Sequence, residues 1–233
     1  MQLNRKFNTY EADHLKLTNL DLAFDVGAYT GDSIVGIRSL GYKKIICFEP
    51  DNKNFLTLKS NFGNDLDISC INKAVSNKDD KTVKMYSTRN LPFLNSLEKE
   101  WITDTRHLQY YREAQFEEFD VTTITLDTFV KSIGKTPSYV KIDVEGHEKY
   151  VLDGMSFKPE ILSFEYISER LSDNLECLTR ARTLGFTRFS FCLGEDIPNA
   201  VAEWCIFNDA YLKFINMSAE DIKNNISGNV FCK

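Results

Sequence analysis

The stretch DLAFDVGAYTGDS, residues 21–33, reads as an apolar strand that reaches Asp25 and then turns through Gly27 and Gly31 to open a helix. A strand, a glycine turn and a helix usually cradle a nucleotide, because a helix N-terminus offers free N–H groups and partial positive charge to an anion. An aspartate at the mouth of that turn repels a phosphate. The stretch therefore calls for a ligand with an adenosine-like body and a different, cationic near end.

Outward from this turn, strand-like and helix-like segments alternate at the spacing of βαβ units, so the class is α/β with a doubly wound, mostly parallel sheet. Strands are expected at 21–26, at KIICFE (44–49), within DISCINKAV (67–75), at SYVKID (138–143) and at ILSFEY (161–166). Helices are expected at about 31–40, at about 52–62, in LDTFVKSIG (126–134), from His147 and at about 171–184. KTVKMYS (81–87) reads as an extra strand, and residues 88–118 interrupt the rhythm as a polar stretch with interleaved aromatics. FTRFSFC (186–192) and EWCIFN (203–208) lie too close for an obligatory helical crossover, which predicts an antiparallel strand at one edge of the sheet. The chain reads as a single domain, 1–233, with an N-terminal extension over 1–20.

With 233 residues and 42% apolar side chains, the chain can bury a sizeable core. A net charge of −6 weighs against a nucleic-acid partner, which needs clustered Lys and Arg. The six cysteines show neither a CxxC pair nor a His at ligand spacing, and read as reduced thiols. No apolar leader and no run of about 18 apolar residues is present, so the expectation is a soluble cytoplasmic protein with no membrane contact. A homodimer is compatible with this composition.

In a doubly wound sheet, ligands bind beyond the carboxyl ends of the strands. Those ends carry a row of acids: Asp25, Glu49, Asp143 with Glu145, and Glu165, with Ala74 closing the third strand. Glu49 follows Gly27 by 22 positions, close to the ~20 expected for a carboxylate that receives the two ribose hydroxyls of an adenosine ligand. The dinucleotide fingerprint G-x-G-x-x-G fails twice, because Tyr29 and Asp32 stand where it needs glycine. Charge separates the candidates further. A unit charge about 4 Å from Asp25 is worth on the order of 4 kcal/mol at an effective dielectric of about 20, attractive for an ammonium and repulsive for pyrophosphate. S-adenosyl-L-methionine, with its ammonium and sulfonium, fits better than NAD.

Asp25-Val-Gly27-Ala28-Tyr29-Thr-Gly31-Asp, FEPDNKNF from Phe48, KAVSN from Lys73, TLDTF from Thr125 and VKIDVEGHE from Val140 together resemble the FkbM-type methyltransferase family, in order from about 21 to 166. The resemblance implies a seven-stranded, Rossmann-like class I methyltransferase sheet, S-adenosyl-L-methionine as cofactor, and methylation of a hydroxyl on a sugar, polyketide or other small molecule. It also implies cofactor contacts from Asp25, Gly27, Ala28, Tyr29, Gly31, Glu49, Ala74 and Asp143. The family usually has Asn where this chain has Tyr29, a turn position that favours residues able to enter the left-handed region.

Proton removal from an alcohol needs a base, and Asp143, Glu145 and His147 cluster where the fourth strand ends. Asp143 is assigned to the methionine end of the cofactor or to orienting the acceptor, and Glu145 or His147 to taking the proton. The alternative is a magnesium route, with Asp143 and Glu145 as oxygen ligands that lower the hydroxyl pKa. Residues 88–118 are expected to lie over the pocket as a substrate lid, with Trp101, Tyr110 and Tyr111 placed to stack on the acceptor and Arg106, His107 and Arg112 as donors. Duller readings stand beside each of these. Asp25 caps a helix, Ala74 is core packing, Glu145 and Glu148 are acids favoured by a helix N-terminus, and the aromatics are a packed face. Two rival functions also stand, a nicotinamide-dependent oxidoreductase and a non-catalytic cofactor- or partner-binding module.

Overall fold

The computed structural model describes residues 19–88, 91–105, 116–193, 204–217, 224 and 226–233. Strand β1 (Ala23–Val26) is buried along its whole length and leads through the glycine turn into helix α1 (Asp32–Ser39). β2 (Ile45–Phe48) follows, then α2 (Asn52–Phe62), whose N-cap Asp51 accepts the backbone N–H groups of Lys53 and Asn54. β3 (Ile68–Ile71), β4 (Ala74–Val75) and β5 (Thr82–Thr88) come next. After a 3₁₀ turn at Pro92–Leu94 come α3 (Lys99–Thr103), β6 (Phe116–Ile124) and α4 (Leu126–Ile133). β7 (Tyr139–Ile142), α5 (Glu148–Asp153), β8 (Ile161–Ile167), α6 (Leu171–Thr183), β9 (Phe189–Leu193), α7 (Phe207–Ile215) and β10 (Ser227–Cys232) complete the order.

Seven strands form one sheet in the order β3-β2-β1-β7-β8-β10-β9, with β10 antiparallel to both its neighbours and the remaining pairings parallel. The reversal of strand order falls between β1 and β7, so the carboxyl ends of these two strands and β2 define the ligand edge. Alternate side chains of β1 face opposite ways, as the two-residue strand period requires. Phe24 and Val26 enter the larger core with Phe48, Val140, Ile142 and Phe164 beneath α4 to α7. Ala23 enters the other core with Ile34 and Ile37 of α1 and Leu58 of α2. Helices cover both faces, which is the doubly wound arrangement expected. No helix among the described residues is long and apolar enough to cross a membrane.

Two expectations need correction. The stretch read as a third strand, 67–75, is divided: β3 stays in the main sheet, whereas Ala74 and Val75 pair with β6 in a separate sheet of order β4-β6-β5. The antiparallel pairing does sit at one edge, but its strand is Ser227–Cys232 and not 203–208. Among the described residues of this stretch, 204–208, only Cys205 bridges Phe189, and Phe207 already begins α7. The extension over 1–18 and residues 106–115, with Arg106, His107, Tyr110, Tyr111 and Arg112, lie outside the described residues.

Candidate active site

The site is built on turns that only particular residues tolerate. Gly27 has φ +86, and a Cβ there would lie 1.7 Å from the Asp143 carbonyl oxygen, so the β1 turn can close on the end of β7 only with glycine. Gly31 caps α1 at φ +100 with the Phe62 ring against it. Between them Tyr29 adopts φ +50, the left-handed conformation anticipated at this position and strained for an aromatic residue.

The N–H groups of this turn are directed inward. Those of Gly27 and Ala28 both donate to the Phe48 carbonyl at 3.0 Å, and that of Tyr29 donates to Glu49 Oε2 at 2.9 Å. Three donors that a phosphate-binding loop would offer to its ligand are thus spent on β2. Glu49 itself is buried, and its Oε1 accepts the Asp51 N–H at 2.8 Å. Burial pushes its pKa up to about 8, against the opposing effect of these two backbone hydrogen bonds.

Asp25 is not at the surface of the turn. It lies on the α1 face of β1, fully buried, and its Oδ2 accepts the Ser33 hydroxyl at 2.5 Å. Oδ1 has no hydrogen-bond partner among the described residues and stands 4.0 Å from Lys141 Nζ. Lys141 also donates to Asp143 Oδ2 at 2.8 Å. Burial raises the Asp25 pKa, with Lys141 opposing it. Burial alone would lower Lys141, but Asp143 and Asp25 outweigh it and hold the ammonium charged. Asp25 is thus enclosed, with Lys141 between it and Asp143. The positional signal was a lysine inside a strand that is otherwise apolar, two residues before Asp143. Its pairing with Asp25 follows from β1 and β7 being neighbours, with Asp25 opposite Lys141 in register.

The turn after β7 is held as firmly. Glu145 has φ +55 and precedes Gly146 at φ +94. The buried Glu148 Oε1 accepts the N–H groups of Val144 and Gly146 at 3.0 and 3.2 Å, which ties the turn to the first residue of α5. Burial raises Glu148 to about 7. Because both Glu49 and Glu148 hold protons more tightly folded than unfolded, their ionisation weakens the fold as pH rises from about 4.5 toward 7–8, the reverse of an ion-paired acid. Asp143, Glu145 and Glu165 each bring a carboxylate oxygen within 4.8 Å of the others, at half-buried positions. Lys141 meets Asp25 and Asp143, and Asp143 in turn lies with Glu145 and Glu165, so this edge of the sheet is rich in acids and favours a cation over a pyrophosphate.

The described part of the inserted segment is bonded to the turns at the ends of β1, β2 and β7 at several points. Asn95 Nδ2 donates to Asp51 Oδ2 at 2.8 Å, Ser96 Oγ donates to the Glu145 carbonyl at 2.5 Å, and Phe93 meets Tyr29 edge to face. Trp101 is buried, its Nε1 donates to Glu145 Oε2 at 3.0 Å, and its ring covers Gly146, where a Cβ would lie 2.5 Å from Cε3. It therefore packs the turn and is not free to stack on an acceptor. His147 is also enclosed: Nδ1 lies 2.7 Å from Glu98 Oε1 and Nε2 lies 2.9 Å from Ser76 Oγ. A carboxylate can only accept from Nδ1, so in the neutral ring Nε2 accepts from the serine hydroxyl. Of the two base candidates, Glu145 is the more open. Ala74 packs with Met85 and Val121 in the small sheet. In TLDTF, Thr125 caps α4 and Asp127 Oδ1 accepts the Ser156 N–H, a structural role.

Solved structures share this architecture. A precorrin-6y C5,15-methyltransferase from Geobacter metallireducens aligns at 8% identity over 97% of this chain and 86% of that one, with a TM-score of 0.50. A Pyrococcus horikoshii protein described as a candidate RNA methyltransferase aligns at 12% identity over 96% of this chain and 78% of that one, TM-score 0.49. An S-adenosylmethionine-dependent O-methyltransferase from Thermotoga maritima aligns at 12% identity over 97% and 64%, TM-score 0.45. The strand order with its antiparallel β10 is that of the Rossmann-like methyltransferases. No curated protein matches the chain in sequence. The methyltransferase FkbM domain matches residues 25–177, and the chain belongs to this family. Family and fold imply S-adenosylmethionine as methyl donor.

Proposed function

We propose that the protein transfers a methyl group from S-adenosylmethionine to a hydroxyl of a sugar, polyketide or other small-molecule or glycan acceptor. The observation that carries the donor half is the pairing of Glu49 with the glycine turn. A buried carboxylate ends β2, and the N–H groups of residues 27–29 point toward β2 instead of outward to an anion. That arrangement suits ribose hydroxyls and a cationic end, and it disfavours the pyrophosphate of a nicotinamide cofactor. Glu49 would hold the ribose, the backbone of Gly27 to Gly31 would border the donor, and Asp143 with Asp25 behind it would face the methionine ammonium. When bound, S-adenosylmethionine supplies an electrophilic methyl on a good leaving group.

The protein's own work is then to orient the acceptor, exclude water and receive a proton. Glu145 would take the last task, a reading supported by its half-buried position in a strained turn with one oxygen held by Trp101. A second reading is favoured by one observation, the convergence of Asp143, Glu145 and Glu165. These oxygens are the donor type a magnesium ion takes, and such an ion would lower the pKa of a nearby acceptor hydroxyl. The test is to incubate the protein with radiolabelled S-adenosylmethionine and fractionated extract from its source cell, then identify the labelled product. An alkali-stable methyl ether is the expected result. A methyl ester, an N-methyl product, or no labelled product in any fraction would contradict the O-methylation reading.

A further inference from the structure

Phe93 is a large apolar side chain that stays 43% exposed although the two residues after it are fixed. Leu94 is buried in a cluster with Trp101, Ile102 and Ile167, and Asn95 is bonded to Asp51. The turn therefore holds the Phe93 ring outward instead of leaving it to collapse onto the core. Its ring centroid lies 6.5 Å from that of Tyr29, at an interplanar angle of 80°. Tyr29 is itself held in place, at φ +50, by the hydrogen bond from its N–H to Glu49 Oε2. Strain of this kind in a rigid turn concentrates at ligand sites. Two aromatic rings thus stand edge to face, one of them carried by the turn whose N–H bonds the carboxylate that ends β2. An edge-to-face pair leaves ring surface uncovered, and an aromatic face attracts a cation within about 6 Å of its centroid.

We propose that Phe93, with Tyr29, forms an aromatic wall against the positively charged sulfur of the methyl donor, so that the site prefers the charged donor to its neutral demethylated product. This rests on the donor reading above: with the ribose at Glu49, the charged sulfur is one ribose ring away, on the side of the glycine turn. The neighbouring acids contribute to the same preference, because a sulfonium is attracted and a thioether is not. Transfer of the methyl group removes the charge, and product release is correspondingly favoured.

The test is calorimetric titration of wild type and two variants with S-adenosylmethionine, with sinefungin, which carries an amine cation in place of the methylsulfonium, and with S-adenosylhomocysteine. Phe93→Leu, at an exposed position, is expected to weaken both cationic ligands about five-fold and the neutral product less than two-fold. Phe93→Trp, with a stronger quadrupole, is expected to tighten the two cations selectively. Equal loss for all three ligands in Phe93→Leu means packing alone and overturns the proposal, as does no change in either variant. If Phe93→Leu does not fold, selective tightening in Phe93→Trp supports the proposal and its absence overturns it. Wild type that binds none of the three overturns the donor reading itself, and this proposal with it.

Discussion

Replacing Glu49 with glutamine should weaken S-adenosylhomocysteine binding at least 30-fold at pH 8 and only slightly at pH 6. Its carboxylate takes backbone donors from Tyr29 and Asp51 and a side-chain hydrogen bond from Asn54, and the ribose hydroxyls would use what acceptor capacity remains. Two charge-assisted hydrogen bonds are worth about 1.5–3 kcal/mol each, and the amide can replace only one acceptor. The pH dependence comes from burial, which holds Glu49 at about 8 in the free protein. Hydroxyl donors favour the ionised form, so binding expels a proton. Below pH 8 the competent, ionised fraction falls about tenfold per unit, and wild-type affinity should rise roughly 50-fold from pH 6 to pH 8. Calorimetry at the two pH values, in buffers of different ionisation enthalpy, reads both the affinity and a proton release close to one at pH 7. A wild-type affinity that is flat across this range, or a glutamine variant that keeps the slope, would remove Glu49 from the ribose.

Glu145→Gln should lower methyl transfer to the labelled acceptor 10²- to 10⁴-fold while leaving S-adenosylhomocysteine affinity within two-fold. The amide preserves an acceptor for Trp101 Nε1 and the volume of the side chain, so the turn at 144–146 should hold. His147→Ala is expected to act differently. It leaves Glu98 and Ser76 without their ring partner at a buried position, and its main effect should be a lower melting temperature. Full turnover in Glu145→Gln, with a stable His147→Ala that has lost it, would transfer the base assignment to the histidine. The same assay in chelator decides the magnesium reading: activity that survives removal of divalent ions excludes it.

The parts of this fold written in local pattern are the parts the sequence discloses. β1 is a short apolar run ended by glycine, Asp51 and Thr125 are capping residues at helix starts, and the 22-position interval from Gly27 to Glu49 is one βαβ half. What stays hidden depends on which elements become neighbours. Asp25 at the glycine turn suggests an exposed acid, and only the adjacency of β1 and β7 reveals that Lys141 is opposite it. Glu98 and His147 are 49 positions apart, and their contact arises because the inserted segment folds back over the strand ends. EWCIFN has the composition of a strand, yet among its described residues a single bridge at Cys205 gives way to α7, while SGNVFC, opened by Ser, Gly and Asn, takes the place between β8 and β9. In the same way Ala74 lies three residues beyond Ile71, the last residue of β3 to pair in the main sheet, and pairs instead with β6, beside Met85 and Val121.

The central claim, that this edge receives an adenosine ligand with a cationic end and not a dinucleotide, is tested most directly by melting the purified protein with S-adenosylmethionine and, in parallel, with NAD. At about 100 times its dissociation constant a ligand adds roughly 2.7 kcal/mol, which for a chain of this size raises Tm by several degrees at about 2–4 °C per kcal/mol. The account predicts that rise with S-adenosylmethionine and none with NAD. A rise with NAD and none with S-adenosylmethionine would contradict it.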